Sequence, residues 1–237
     1  MCGLATYGRA VTRLDRHRWR TNMHSMSHTI VLYGNRPVTS PYVMSVYVAL
    51  EEKRLPFEFR QLDLEQGEHL RPAYVELSIT NRVPTLVCDG QSISESSAIT
   101  EYLDECFKAP DYPPIYPVDL VERARVRMVQ ALVRSDFMPL RIQRSTDALF
   151  EHAPIQPLDE AAKEAKRRLE RIGLTLVGGQ RRFIASEFTI ADVDLATMLQ
   201  RLCAKGDPVP TELRDYAERI WARPSVQKWL ALTGFKA

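Results

Sequence analysis

Four prolines crowded into one short stretch, Pro110, Pro113, Pro114 and Pro117, divide this chain into two halves with different hydrophobic periods. Proline lacks a backbone N–H and clashes inside a helix, so such a stretch reads as a linker, here over residues 109–118. Before it, Ile30-Val31-Leu32-Tyr33-Gly34 is a short apolar run closed by Gly34 and Asn35, which reads as a buried strand. Ser40 is then the N-cap of a helix with Pro41 at its first position. Val43, Val46, Tyr47 and Leu50 recur on one face of that helix, and Leu55-Pro56 ends it. Phe57 to Leu64 alternates as a second strand. A connecting segment leads to a third strand at Val83 to Cys88. Asp89-Gly90 signals a hairpin turn into Ser92-Ile93-Ser94, and a helix follows from about Glu95 to Phe107.

Beyond the linker every apolar pattern has helical spacing. Val121, Ala124, Met128, Ala131, Leu132 and Ser135 line a long helix that Pro139 should kink or end. Ala165, Leu169, Ile172 and Leu176 line another, closed by Gly178-Gly179. Three more are spelled by Leu195, Met198, Leu199 and Leu202, by Leu213, Tyr216, Ala217 and Ile220, and by Val226, Trp229 and Leu230. The prediction is an α/β half of order βαβ-ββα over residues 29–108, followed by an all-α half over 119–237.

Charge removes some function classes. The net charge of +2 hides five arginines and one acid within residues 1–28, a local +4, which leaves about −2 for the remainder. That remainder has no basic face asking for nucleic acid. Residues 1–28 show no clean period and no secretory apolar block, and read as a disordered tail or as sequence upstream of a true start at Met23 or Met26. No apolar run approaches the roughly 20 residues that cross a bilayer. The four cysteines, Cys2, Cys88, Cys106 and Cys203, form no C-x-x-C pair and no zinc spacing. Cys88, Cys106 and Cys203 lie among apolar residues and read as inert core thiols. The expectation is a cytoplasmic protein without metal, structural disulfide, nucleic acid or membrane.

The most specific local signal is Phe188-Thr189-Ile190-Ala191-Asp192-Val193. Thr189 and Asp192 have the spacing of a capping box, with Phe188 and Val193 as its hydrophobic staple. A helix start needs no more explanation than that. Yet this segment resembles the folding motif of the glutathione transferase superfamily. Val83-Pro84-Thr85-Leu86 resembles that family's cis-proline turn and third strand, and Glu95-Ser96-Ser97-Ala98-Ile99 its Glu-Ser-x-Ala-Ile signature. Arg223-Pro224-Ser225-Val226 resembles its C-terminal Arg-Pro-x-Val segment. The four stand in consistent order across residues 29–235, and within the family the chain looks most like bacterial members with Ser-Pro-Tyr at the start of helix one and the Arg-Ser-Asp run seen here at Arg134, Ser135 and Asp136.

The resemblance implies a thioredoxin-like first domain that binds glutathione, a helical second domain, and a homodimer. It implies transfer of glutathione to a small electrophile, with hydroperoxides or disulfides as further acceptors. A free thiol has a pKa of about 8.5, and lowering it by two units takes about 2.7 kcal/mol. A hydroxyl donating to the anion supplies about 1.5–3 kcal/mol, and a helix N-terminus about 0.3–1. Ser40 is the residue implied for this task, with Thr39 and Tyr33 as competitors and plain capping as the structural alternative. Val83 is implied to meet the tripeptide backbone if its bond to Pro84 is cis. Glu95 and Ser96 are implied to meet the γ-glutamyl end, though an acid and a serine belong in the first turn of any helix. Arg82 or His69 is implied for the glycyl carboxylate. Arg127, Arg134 and Arg141 fall seven apart, a spacing that also describes a solvated face, and Arg134 is the second-substrate candidate. The fold also houses non-catalytic regulators of the stringent starvation type, which is the competing function.

Overall fold

The computed structural model describes residues 28–146, 149, 156–179 and 181–234. The arginine-rich extension therefore lies outside the described residues except for His28, whose Nδ1 sits 2.6 Å from Asp89 Oδ2.

The first half is a four-stranded mixed sheet carrying helices. β1 (Ile30–Arg36) leads through α1 (Pro41–Glu52) to β2 (Glu58–Asp63), then α2 (Pro72–Val75), β3 (Thr85–Cys88), β4 (Gln91–Ser94) and α3 (Ser96–Cys106). The strand order is β2-β1-β3-β4. β1 pairs in parallel with β2 and antiparallel with β3, which brings Leu32 opposite both Phe59 and Leu86. The Asp89-Gly90 hairpin forms as read, with both residues at positive φ (49° and 80°), the requirement of a tight two-residue turn. The connection from β2 to β3 is more ordered than a linker. It carries a 3₁₀ turn at Glu68–Leu70, and Pro72 then starts α2.

α1 is buried on all sides from Val43 to Leu50, although its sequence suggests one apolar face. It is covered by the sheet and α3 on the near side and by helices of the second half on the far side.

The second half contains α4 (Leu120–Ser135), α5 (Met138–Gln143), α6 (Glu160–Val177), α7 (Ile190–Cys203), α8 (Thr211–Trp221) and α9 (Pro224–Thr233). Pro139 does end the long helix. The chain turns through Phe137 at φ 62° and restarts as α5 with proline in its first turn. The apolar line read along α4 is corrected here. Val121, Ala124, Met128, Ala131 and Ser135 face outward, with Met128 57% exposed. The buried face is Val126, Val129, Gln130 and Val133. Gln130 is the reason the pattern misleads: it is a polar residue spent on buried partners, accepting from the Tyr116 hydroxyl (2.6 Å) and donating to Asp194 (3.1 Å).

α7 is the hub, buried from Ile190 through Leu202. Its capping box is present, with the Thr189 N–H donating to Asp192 Oδ2 at 2.8 Å. Asp192 also accepts from the Ile184 N–H (2.9 Å) and the Tyr216 hydroxyl (2.8 Å), so one carboxylate ties the loop before α7 to α8. Phe188 lies under the Arg223 guanidinium, 3.6 Å from its ring centroid. Arg223 donates in turn to both oxygens of Glu52 at the end of α1 (2.9 and 2.8 Å). A bidentate pair of this kind fixes orientation as well as distance, and here it locks the two halves together.

Candidate active site

The β1–α1 loop is built by Asn35, a buried residue that reads in the sequence only as the close of a strand. Its Nδ2 donates to the Pro37 carbonyl (2.5 Å) and to Thr39 Oγ1 (3.1 Å), while its Oδ1 accepts from the Ser40 N–H (3.3 Å). An asparagine side chain that mimics a backbone turn does this routinely. It sets Ser40 at the N-cap of α1, where the hydroxyl oxygen accepts from the Val43 N–H at a long 3.4 Å. No protein acceptor takes the Ser40 hydroxyl proton among the described residues. Capping and donation to a bound group are therefore compatible at this residue.

A cavity of about 220 Å3 opens beside the turn before β3. Arg82, Val83, Pro84, Glu95, Ser96 and Arg134 line it, together with Tyr42 of the Ser-Pro-Tyr run and Thr80, which the sequence did not mark. The Val83–Pro84 bond is cis. The turn is anchored from behind, because the Arg82 carbonyl accepts from the Tyr74 hydroxyl (2.7 Å) and the Ser78 hydroxyl (3.2 Å). α3 begins at this cavity with no side-chain cap, and Glu95, its N-cap residue, holds φ 72° and ψ 118°. An uncapped helix start presents unsatisfied N–H groups that suit an anion.

Arg134 donates from Nε and Nη2 to Ser96 Oγ (3.1 and 3.0 Å) and from Nη1 to Asp194 Oδ2 (3.1 Å). It thus holds the first residue of α3 against α7 and leaves the Ser96 hydroxyl proton available. It also lines a narrower gap with Tyr42, Arg141 and Met198, so it stands at both sides of the cleft. Arg127 is directed away, to Glu101 on α3 (2.5 Å).

A wider cleft of about 660 Å3 adjoins at Tyr42. Thr39 and Ser40 line it from the first half, and Met138, Arg141 and Ile142 from α5. Two candidates are not brought to either cavity. Tyr33 accepts from Arg60 Nη1 (3.2 Å) on the sheet edge, and His69 sits in the 3₁₀ turn, where its Nδ1 is buried without a partner among the described residues. Burial pushes the thiols of Cys88, Cys106 and Cys203 above their ordinary value, so none is a ready thiolate. Among the described residues no group of three or more His, Cys, Asp or Glu could hold a metal ion, and no helix is long and apolar enough to cross a membrane.

Residues 37–111 match the family model of the glutathione S-transferase N-terminal domain, and residues 119–235 that of the C-terminal domain. A solved glutathione transferase homologue from Burkholderia gl BGR1 with bound glutathione is 43% identical, covering 87% of this chain and 98% of that one at a TM-score of 0.74. A probable maleylacetoacetate isomerase of Caenorhabditis elegans is 40% identical over 112 residues, which is 45% of this chain and only half of that relative. A stringent starvation protein A homologue of Coxiella burnetii is 29% identical over 195 residues, 80% of this chain and 87% of that protein. Two family models in the right order, a solved relative along nearly its whole length, and a sheet and helical bundle in the matching halves agree: the chain belongs to the glutathione S-transferase superfamily.

Proposed function

We propose that the chain is a glutathione transferase that holds glutathione between Ser96 and Ser40 and directs its ionised sulfur at an electrophile. One observation carries this reading. The uncapped start of α3, the backbone of Val83 beside its cis proline, and a serine hydroxyl with an uncommitted proton stand around two cavities that meet at Tyr42. The α3 N–H groups and the Ser96 hydroxyl suit the γ-glutamyl carboxylate, and Glu95 its ammonium. The Val83 N–H and C=O suit the cysteinyl backbone. Arg82 lines the cavity and takes the glycyl carboxylate in this reading, whereas His69 lines neither cavity. Ser40 donates to the sulfur at the N-terminus of α1, and the two effects together are of the size needed, about 2.7 kcal/mol for two pKa units. The sulfur lone pair then forms a bond to the electrophilic carbon, and the leaving group departs with its bonding pair. Tyr42 and α5 face the acceptor.

The test is Ser40→Ala with chlorodinitrobenzene as acceptor. Loss of about 2 kcal/mol of thiolate stabilisation lowers the turnover rate roughly thirtyfold, with glutathione affinity within about threefold of the parent. An unchanged rate removes Ser40 from the mechanism. Calorimetry with glutathione separates the second reading, a non-catalytic regulator of the stringent starvation type, which the similarity along 80% of the chain favours. Absence of binding in a folded protein selects it. We assign a homodimer as the working form, with outward apolar residues such as Ile79 (94% exposed) and Leu120 (79%) as its contact, and the cytoplasm as its location.

A further inference from the structure

The wide cleft beside Ser40 is lined by arginines whose contacts differ from those of most buried arginines in the helical half. Among the buried and half-buried arginines, Arg123 meets Asp104, Arg134 meets Asp194, Arg144 meets Asp207 and Arg223 meets Glu52. Arg141 meets no carboxylate among the described residues. Its Nη1 donates to the Arg134 carbonyl at 2.8 Å, its Nη2 to the Tyr42 hydroxyl, and its guanidinium lies 5.5 Å from the Tyr42 ring centroid. These are neutral acceptors. They aim the group and leave both its charge and its remaining N–H donors unspent, since a guanidinium carries five. Arg36, exposed at the end of β1, lines the same cleft and also has no carboxylate partner among the described residues. Arg201 on α7 completes the wall. It is 4% exposed and is held by a bond from Nη1 to the Arg144 carbonyl at 2.7 Å. The acid on the lining is Glu65, exposed after β2. Three arginines thus reach the cleft from β1, α5 and α7, among apolar groups such as Met138 and Ile142.

We propose that this cleft selects acceptors bearing a carboxylate. The second substrate is a small organic acid whose electrophilic carbon lies over Ser40 and whose carboxylate is gripped by Arg141, with Arg36 strengthening the field. Guanidinium groups recognise carboxylates through paired N–H bonds. An Arg141 already aimed by Tyr42 loses little freedom in making them. Met138 and Ile142 supply the apolar contact for the carbon skeleton. The proposal rests on the glutathione reading, because it names the acceptor for that same site.

The test uses two glutathione conjugates that differ in one charge, S-benzylglutathione and S-(4-carboxybenzyl)glutathione, titrated calorimetrically into the full chain. The carboxylated conjugate is expected to bind about tenfold more tightly at low salt. That advantage should shrink as ionic strength rises, fall to within about twofold in Arg141→Gln and drop to about fivefold in Arg36→Gln. Arg36 is exposed, so its variant keeps the test valid even if Arg141→Gln disturbs the packing of Tyr42. Two conjugates that bind equally well overturn the carboxylate proposal and leave the glutathione site standing. Failure of both to bind a folded protein overturns the glutathione reading and this proposal with it.

Discussion

Glu95 places the cost of the site in the backbone, where it can be measured. At φ 72° and ψ 118° its Cβ is held in a region that favours glycine, and such a conformation costs about 1–3 kcal/mol. Nothing among the described residues repays that through the side chain. Glu95 is exposed and its carboxylate takes part in no hydrogen bond or ion pair among the described residues, while its backbone carbonyl starts α3 by accepting from the Ile99 N–H at 2.9 Å. Replacing it by glycine releases the strain and keeps the α3 bond. Against this stands about 0.4–1 kcal/mol of extra freedom in the unfolded chain. The net expectation for Glu95→Gly is a stability gain of about 1 kcal/mol. Glu95→Ala removes the same carboxylate and keeps the Cβ, so its stability stays within about 0.5 kcal/mol of the parent. Urea melts read the difference as a higher midpoint for the glycine variant at unchanged slope. Both variants lose the bond to the γ-glutamyl ammonium, of about 1.5–3 kcal/mol, and so bind glutathione at least tenfold more weakly. A glycine variant no more stable than the alanine variant would refute the strain argument, and undiminished glutathione affinity would refute the role of the carboxylate.

Three further outcomes are expected. Arg134→Gln removes both bonds to Ser96 and the ion pair to Asp194, which is 8% exposed. With Gln130 still donating to Asp194, the stability loss in a urea melt should be about 2–4 kcal/mol, accompanied by weaker glutathione binding. Unaltered affinity would show that Ser96 does not need this clamp. Gly34→Ala sets a Cβ 2.6 Å from Phe59 Cε2 and 2.7 Å from Val43 Cγ1, an overpacking of about 1–3 kcal/mol that the melting midpoint reads directly. Tyr74, Tyr116 and Tyr216 are buried, and burial pushes each phenol above its ordinary 10.0. Their folded pKa exceeds the unfolded one, so their contribution is constant below pH 10 and is lost above it, at up to about 1.4 kcal/mol per tyrosine per pH unit. Urea melts between about pH 9 and 11.5, followed by phenolate absorbance, should show Tyr116 and Tyr216 ionising only as the protein unfolds. Their titration in the folded state near pH 10 would contradict this.

What could be read in the chain was what short-range chemistry dictates. Ser40-Pro41 starts α1 and Thr189-x-x-Asp192 starts α7, because a cap needs only residues three apart. The buried faces of α8 and α9 were legible because each helix meets the core along one side. α4 misled because one of the four residues on its buried face, Gln130, is placed by a hydrogen-bond network whose members lie far away, reaching Asp194 64 residues on. The walls of the site divide the same way. Val83-Pro84 and Glu95-Ser96 were reached through the family resemblance, and the structure gives them a cis peptide and a positive φ. Asn35 left a weaker trace, as an Asx residue ahead of Pro37, in the composition of a turn.

The acceptor side left only the seven-residue spacing of Arg127, Arg134 and Arg141, and the reason it says no more is physical. Arg141 owes its aim to Tyr42, 99 residues away, and its free charge to the lack of a carboxylate partner among the described residues. Neither property belongs to the segment around Arg141, where the residue is one more arginine in a sequence with 32 Lys and Arg. The thiol-handling half of such a site is tied to fixed backbone features, whereas the acceptor half is assembled from side chains on three elements. Substitutions at Arg36 and Arg141 should therefore change which acceptor is preferred while leaving the fold and the α3 end of the cleft in place.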